Sequence, residues 1–210
     1  INAADMRAAT LDSLRAVMLI RAYRSNGHLL ALDPLVLEEP DLHPELDPAS
    51  YGFGDDDWER PIFIDNVLGL ETATLTEIIA RLRQTYCGTI GVEFMHVQDP
   101  KQKAWIQERI ESINNQTDFT LRGKSAIYER LVDADEFGKY LHKKFPGTKR
   151  FGLDGSEAVI PALEQILKRG SQLGLREVVV GMAHRGRLNI LHNVLQKPFR
   201  AIISEFHGRS

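Results

Sequence analysis

Residues 181–189 read Gly-Met-Ala-His-Arg-Gly-Arg-Leu-Asn, and this stretch decides the predicted fold. The run before it, Leu175 to Gly181, contains three consecutive valines at 178–180, which predicts a buried strand of a parallel sheet. The run after it, Leu188 to Gln196, predicts a helix, and another helix is predicted over residues 156–169. A helix, a buried strand and a helix in this order indicate the beginning of an open α/β layer.

The turn between the predicted strand and helix carries three candidate site residues, His184, Arg185 and Arg187. Such a turn presents free backbone N–H groups and the positive end of a helix dipole, and Gly181 and Gly186 let a ligand approach the backbone closely. In open α/β sheets, ligands bind at the carboxyl ends of strands. The turn therefore predicts a phosphate or carboxylate site, with a histidine suited to proton transfer. The alternative is that both arginines pair with nearby acids and that the histidine belongs to the core.

The composition is that of an ordinary globular protein. The chain has 210 residues, 43% of them hydrophobic and 26% charged, which fits one large domain or two small ones. A net charge of −3 argues against a nucleic-acid partner, so any anion site must be local. The single cysteine excludes an internal disulfide framework and a cysteine-rich zinc site. Without a signal-peptide pattern or a membrane-spanning run, we expect a soluble intracellular protein with no membrane partner.

The sequence predicts a mainly helical region over residues 1–147 and the start of an α/β domain over 148–210. Helices are predicted over 4–26, 75–87, 100–114, 125–132 and 134–145. Thr74 and Glu77 are expected to form a capping box before the 75–87 helix, and Asp99, followed by Pro100, to begin the 100–114 helix. The first helix is expected to end with a left-handed Gly27, the last to be capped by Asp133, and Gly170 is expected to stop the 156–169 helix. Residues 33–61 are rich in Pro, Asp and Gly, which predicts a loop with little regular structure.

Several other features are weaker candidates for function. The basic stretch Lys143–Gly152 predicts either a loop that folds over an anion or a solvated connection, and the second interpretation is favoured. The acidic run Asp55–Asp57 lacks the spacing of a calcium loop and indicates a solvated turn. Cys87 has no nearby histidine or second cysteine, so we expect a packed thiol. We expect His28 at a helix end and Trp105 in the packing.

Five blocks of sequence follow one another along the chain. They lie at Tyr23–His28 with Leu32–Leu35, at Gln84–Gly91, at Trp105–Ser112, at Lys144–Phe151 and at Gly181–Asn189. Together they resemble the N-terminal part of the thiamine-dependent decarboxylating component of 2-oxoglutarate dehydrogenase. The resemblance covers essentially the whole chain, and the sequence is similar to bacterial or mitochondrial members of the family.

The resemblance implies a helical region that precedes a large α/β domain binding thiamine diphosphate, with two subunits of a homodimer building each active site. The implied activity is oxidative decarboxylation of 2-oxoglutarate in the tricarboxylic acid cycle. The succinyl group is then passed to the lipoyl arm of a dihydrolipoyl succinyltransferase. Thiamine diphosphate and Mg²⁺ are the implied cofactors, and the implied location is a bacterial cytoplasm or a mitochondrial matrix.

The resemblance also assigns roles to residues of the turn. Arg185 matches the arginine that contacts the cofactor's diphosphate, and His184 matches an active-site histidine near the substrate. Arg187 is a weaker match, for a substrate or another anion. The family's Mg²⁺ ligands, its second substrate histidine and the glutamate that activates the aminopyrimidine are expected beyond Ser210. We therefore expect residues 1–210 alone to be inactive.

Two functions of other classes are alternatives. Residues 1–145 suit a docking surface for partner subunits, with the arginine-rich turn binding a regulatory anion. A phosphohistidine enzyme is disfavoured. In the pattern of phosphohistidine mutases the arginine comes before the histidine, whereas in this chain His184 comes before Arg185. The sequence does not separate 2-oxoglutarate from 2-oxoadipate as the substrate.

Overall fold

The computed structural model describes residues 2–32 and 41–208. Of the described residues, 60% are helical, and the chain divides into two compact units, residues 1–117 and residues 118–210. The boundary expected at residue 147 falls inside the second unit, and a thiamine diphosphate domain beginning at residue 148 stays a prediction. Within the described ranges, no helix is long and apolar enough to cross a membrane.

The described part of the first unit contains the helices α1 (Ala3–Asn26), α2 (Leu75–Tyr86) and α3 (Pro100–Ser112). All three were predicted from the sequence, and two of the predicted caps are confirmed. Thr74 and Glu77 form a reciprocal capping box, with Glu77 N donating to Thr74 Oγ1 at 3.2 Å and Thr74 N donating to Glu77 Oε2 at 2.8 Å. Asp99 Oδ1 accepts the backbone N–H groups of the first turn of α3.

The core of the first unit forms where α1 packs against α2. Leu19 and Ile20 of α1 and Leu75, Ile78 and Leu82 of α2 are all fully buried. Burying each such side chain contributes about 1.5–3 kcal/mol to folding. This contact therefore holds the unit together across about fifty residues of intervening chain.

The end of α1 differs from the prediction. Gly27 has φ −58°, which is right-handed, and the chain continues into a 3-10 turn, Gly27–Leu30. Glycine is needed here because there is no room for a side chain, and not because the backbone is left-handed. A Cβ on Gly27 would lie 2.6 Å from Tyr86 Cβ. The prediction of a left-handed cap was wrong because a close approach to α2 sets this position.

Short elements connect α1 to α2. Of the predicted loop, residues 33–40 lie outside the described residues. Residues 41–61 contain only short 3-10 turns (Pro44–Leu46, Pro48–Tyr51 and Asp55–Asp57), as the loop prediction indicated. The strands β1 (Ile62–Phe63) and β2 (Thr72–Ala73) then pair antiparallel, with Ile62 opposite Ala73.

The second unit contains α4 (Leu121–Lys144), α5 (Val159–Gln172), the short α6 (Arg187–Asn189) and α7 (Phe199–Phe206). The two helices predicted over 125–145 are one continuous helix. Asp133 does not cap a helix, because its carboxylate pairs with Arg130 at 3.0 Å on the same helix. Gly170 lies inside α5 and does not stop it; a Cβ there would lie 2.6 Å from Leu175 Cδ2.

The strand predicted over Leu175–Gly181 is not formed. This segment has no regular secondary structure, and Val179 is 98% exposed. A parallel strand needs a neighbour to accept and donate its hydrogen bonds. Within the described residues, the only sheet is the pair of β1 and β2 in the first unit. The helical part of the predicted fold is confirmed, and the parallel sheet stays a prediction.

Candidate functional site

The turn that carries the candidate residues is anchored by its glycine. Gly186 has φ +71°, and its N–H donates to Phe151 O at 2.8 Å and to Gly152 O at 3.2 Å. A Cβ on Gly186 would lie 2.5 Å from Leu153 Cδ1, so both the backbone conformation and the space require glycine. The turn is therefore held against the segment Phe151–Leu153.

The helix after the turn is confirmed, but in a mixed form. One turn of α6 continues into a π-helical turn, Ile190–Val194, where the prediction had a single helix to Gln196. Asn189 is buried, and its Nδ2 donates to Ala134 O of α4 at 2.8 Å. This bond fixes the start of the helix, and with it the position of Arg187.

Phe151 is a residue of the site that the sequence analysis did not single out. The centroid of its ring lies 5.9 Å from the His184 ring and 5.8 Å from Arg187 Cζ. The distance from the guanidinium is within the range of a cation–π contact. Phe151 itself has φ +52°, which is unusual for an aromatic residue and makes this position strained. The sequence signal that could have pointed to Phe151 is its position directly after the basic pair Lys149-Arg150.

The charged side chains of the turn are open to ligands. His184, Arg185 and Arg187 are exposed, and none makes an ion pair with any residue that the structure describes. Among the described residues, therefore, neither arginine has the structural acid that the alternative required. A histidine in the core is excluded as well, because His184 lies at the surface.

A cavity of about 380 Å³ lies next to the turn but is not lined by its charged residues. Phe151, Gly152 and Asn189 border both features. The other walls come from α4, including Lys139 and His142, and from the loop residues Arg150, Leu153, Asp154 and Glu157. The second unit by itself thus brings the three predicted residues together on an open surface and does not enclose them.

The basic stretch Lys143–Gly152 comprises the end of α4 and a loop that is held together by hydrogen bonds from Arg150. Arg150 Nη1 donates to Phe145 O at 2.9 Å, and Arg150 Nη2 lies 3.0 Å from His142 Nδ1. The guanidinium that would contact an anion therefore stabilises the loop itself. The remaining lysines of the stretch are exposed, which favours the solvated connection over a lid.

The weaker candidates behave as structural residues. Asp57 accepts from Gly54 N at 2.8 Å and pairs with Arg60 at 2.8 Å, so the acidic run is a self-capped turn. Cys87 is half-buried and packs against the core of the first unit, as expected, and this burial raises the pKa of its thiol to about 11. Trp105 is 61% exposed, so its expected place in the packing was wrong. No group of three metal-ligating side chains is present in the described part of the chain.

A scan of known protein families finds no match to this chain. Curated proteins do match it along its full length. The 2-oxoglutarate dehydrogenase E1 components of Brucella canis, Brucella suis and Brucella abortus are each 58% identical to it over 212 aligned residues. The chain matches the N-terminal part of 2-oxoglutarate dehydrogenase E1 components. It spans 21% of the length of these relatives. The resemblance inferred from the five sequence blocks is thereby confirmed.

Proposed function

We propose that the chain contributes the His184–Arg187 turn to a thiamine-diphosphate-dependent enzyme that decarboxylates 2-oxoglutarate, as part of a longer protein. One observation carries the proposal. The turn holds an exposed imidazole and two exposed guanidiniums that have no acidic partner among the described residues, in a chain 58% identical to 2-oxoglutarate dehydrogenase E1 components. 2-Oxoadipate is the alternative substrate.

The turn fits the anionic part of thiamine diphosphate. Arg185 and Arg187 present planar guanidiniums, which bind phosphate or carboxylate oxygens through two parallel N–H groups. The turn between them is formed by Gly186, where a side chain is excluded. No cluster of metal ligands lies among the described residues, so the residues present do not fit Mg²⁺. We propose that the Mg²⁺ ligands come from outside residues 1–210, and that residues 1–210 alone are inactive.

The three side chains have distinct roles in this proposal. When bound, thiamine diphosphate supplies the electron sink for decarboxylation. Arg185 neutralises the diphosphate and holds it in place. His184 donates a hydrogen bond to the substrate oxygen on which negative charge develops. Arg187, held against the Phe151 ring, binds a carboxylate of the substrate.

The wider assembly is part of the same proposal. The E1 component name of the relatives implies a multienzyme complex with a succinyltransferase. We propose that the longer protein is a homodimer that succinylates the lipoyl group of dihydrolipoyl succinyltransferase, in the tricarboxylic acid cycle. The proposed location is a bacterial cytoplasm or a mitochondrial matrix.

The test is kinetics of the longer protein that contains this chain. His184→Ala is expected to lower the rate constant for 2-oxoglutarate decarboxylation by about 10²–10³, the cost of removing one donor to a developing oxyanion. Arg185→Ala is expected to raise the concentration of thiamine diphosphate needed for half-maximal activity. The expected change for Arg185→Lys is smaller, because the charge is kept.

The matched control is Arg169→Ala, an arginine of α5 in the same unit that donates only to Gln172 of its own helix. It is expected to leave both constants unchanged. Wild-type kinetics for both His184→Ala and Arg185→Ala, with intact circular dichroism, would reject the proposed roles. A better rate with 2-oxoadipate than with 2-oxoglutarate would change the substrate but keep the site.

A further inference from the structure

The first unit contains a second cavity, of about 430 Å³, that has no part in the proposed decarboxylase site. Its walls are the loop Asp65–Gly69, Arg81 of α2, and the side of α3 that carries Gln107 and Glu108. This volume lies in the range of small-molecule sites, about 300–1,000 Å³.

Arg81 is the unusual residue of this cavity. Its Nε is buried and has no hydrogen-bond partner, and its guanidinium makes no ion pair with a described residue. The end of the side chain lies at the cavity wall, since a Cβ on Gly69 would be 3.9 Å from Arg81 Nη2. Buried N–H groups in folded proteins almost always have an acceptor. An acceptor supplied by a ligand would complete this site.

The other arginine that lines the cavity, Arg24, already has a partner. Arg24 donates from Nε and Nη2 to the two carboxylate oxygens of Glu111, at 2.7 and 3.0 Å. Glu111 also accepts from the Tyr86 hydroxyl at 2.6 Å. Arg24, Glu111 and Tyr86 therefore satisfy one another by hydrogen bonds. Arg81 is the cation of the cavity that remains available to a ligand.

The cavity also holds two carboxylates that have no cation. Asp65 and Glu108 line it, and neither makes an ion pair with the described residues. A simple anion would be attracted by Arg81 and repelled by these two groups. A ligand with a carboxylate at one end and an ammonium nearby satisfies all three charges.

The loop at the cavity is held in a strained conformation. Asp65, Asn66 and Leu68 have φ of +49°, +60° and +60°. Asp and Asn tolerate this left-handed region, so the strain lies at Leu68. The Leu68 side chain is 3% exposed and packs in the core, which stabilises the loop in this form. Such strain concentrates at ligand clamps and active sites. Asn66 and Gln107 also line the cavity and offer side-chain amides to an uncharged polar ligand group.

We propose that this cavity binds a free α-amino acid with an uncharged polar side chain. The α-carboxylate binds the Arg81 guanidinium, and the α-ammonium binds Asp65 and Glu108. Asn66 and Gln107 hydrogen-bond the side chain. The site lies outside the His184–Arg187 turn, so it would give the protein a second, regulatory ligand.

The experiment is a titration of the ¹⁵N-labelled 210-residue chain, followed by the backbone amides of Gly69 and Ala104, which line the cavity. The probes are L-glutamine, glutaramate, which lacks the ammonium, and 4-aminobutanamide, which lacks the carboxylate. Saturable shifts are expected with L-glutamine, and each truncated probe is expected to bind at least about tenfold more weakly.

Variants assign the contacts. Arg81→Gln is expected to weaken L-glutamine binding by about tenfold or more, and Asp65→Asn by several-fold. Arg109→Gln, an exposed neighbour on α3 that stacks on Trp105, is the control and is expected to leave affinity unchanged. Should Arg81→Gln lose its dispersed spectrum, Arg81→Lys decides, because it keeps the charge but loses the bidentate geometry and is still expected to bind more weakly.

Three results would overturn the proposal. The first is glutaramate binding as tightly as L-glutamine, which would make this a plain anion site. The second is an absence of shifts with all three probes at about 20 mM, well above the millimolar affinities of weak sites. The third is an unchanged affinity for folded Arg81→Gln or Arg81→Lys.

Discussion

Arg24 and Glu111 form a bidentate ion pair across 87 positions of sequence, with N–O distances of 2.7 and 3.0 Å. Their side chains are only 16% and 10% exposed. Burial opposes charging of the Arg24 guanidinium, but its hydrogen bonds to Glu111 hold its pKa above the ordinary value. The pair thereby fastens α3 to α1, which are joined in the first unit by little other packing.

Removing one partner of this pair is expected to be costly. Arg24→Met leaves the Glu111 carboxylate buried with only Tyr86 as a donor, and we expect a loss of about 3–5 kcal/mol in unfolding free energy. Urea unfolding followed by tryptophan fluorescence measures it, because both tryptophans of the chain, Trp58 and Trp105, lie in the first unit. The control is Glu93→Gln, the 71% exposed partner of His28. It is expected to cost less than about 1 kcal/mol, and equal costs for the two variants would contradict this account.

Gly186→Ala is expected to disrupt the candidate site through both backbone and packing. The left-handed φ costs about 1–2 kcal/mol for a residue with a Cβ, and the new methyl group would also collide with Leu153 Cδ1. We expect lower thermal stability of the second unit and faster hydrogen exchange of the residue 186 amide, which donates to Phe151 O.

Gly147→Ala separates the two contributions. Gly147 has φ +80°, but no atom would lie within 4 Å of an added methyl group, so only the backbone cost applies. In a Leu153→Ala background the collision is absent, so adding Gly186→Ala there is expected to cost only the backbone contribution of about 1–2 kcal/mol. If Gly186→Ala proves no worse than Gly147→Ala, the packing argument fails.

The sequence predicts those elements whose signals are local. The capping box at Thr74 and Glu77 and the Asp99 cap lie within a few residues of the helices that they begin, so they were recognisable without any tertiary contact. Asp133 has the same local pattern, but a cap requires a chain that is not yet helical, and α4 is already formed from Leu121 onward. Its partner is Arg130 instead, which the pattern alone did not reveal.

Features set by distant contacts were not predictable in this way. The closeness of Gly27 to Tyr86 depends on how α1 packs against α2, 59 positions away in the numbering. The place of Phe151 beside His184 and Arg187 depends on the bonds from Gly186 to residues 151 and 152. The sequence did indicate the exposed basic turn itself, because its glycines and arginines are adjacent in the chain.

Two glycine substitutions are expected to change the free energy of unfolding in opposite directions. Gly27→Ala places a methyl group 2.6 Å from Tyr86 Cβ, and overpacking of this kind costs about 1–3 kcal/mol. Gly138 lies within α4 with nothing within 4 Å of an added methyl group. Gly138→Ala is therefore expected to stabilise the second unit by about 0.5–1 kcal/mol. Tryptophan fluorescence reports the first variant and far-UV circular dichroism the second, and a stabilising Gly27→Ala would show that the helices can separate.

The half-buried thiol of Cys87 predicts a pH dependence of stability at alkaline pH. Burial raises its pKa to about 11, whereas an unfolded cysteine titrates near about 8.5. Between these values the unfolded chain loses a proton that the folded chain retains, so stability is unaffected at lower pH and falls as the pH rises toward 11. The rate of alkylation by iodoacetamide is expected to rise with a midpoint near this pKa in the folded chain, and near the ordinary value in urea.

Cys87→Ala isolates this contribution. Burial, with the hydrogen bond to Glu111, also raises the pKa of Tyr86, so stability still falls above about pH 10 in the variant. The difference in unfolding free energy between wild type and Cys87→Ala is therefore the quantity to follow. It should be constant below about pH 8 and shift steadily against the wild type from there to about pH 11. A difference that does not change with pH would mean that the thiol is as accessible to water in the folded chain as in the unfolded one.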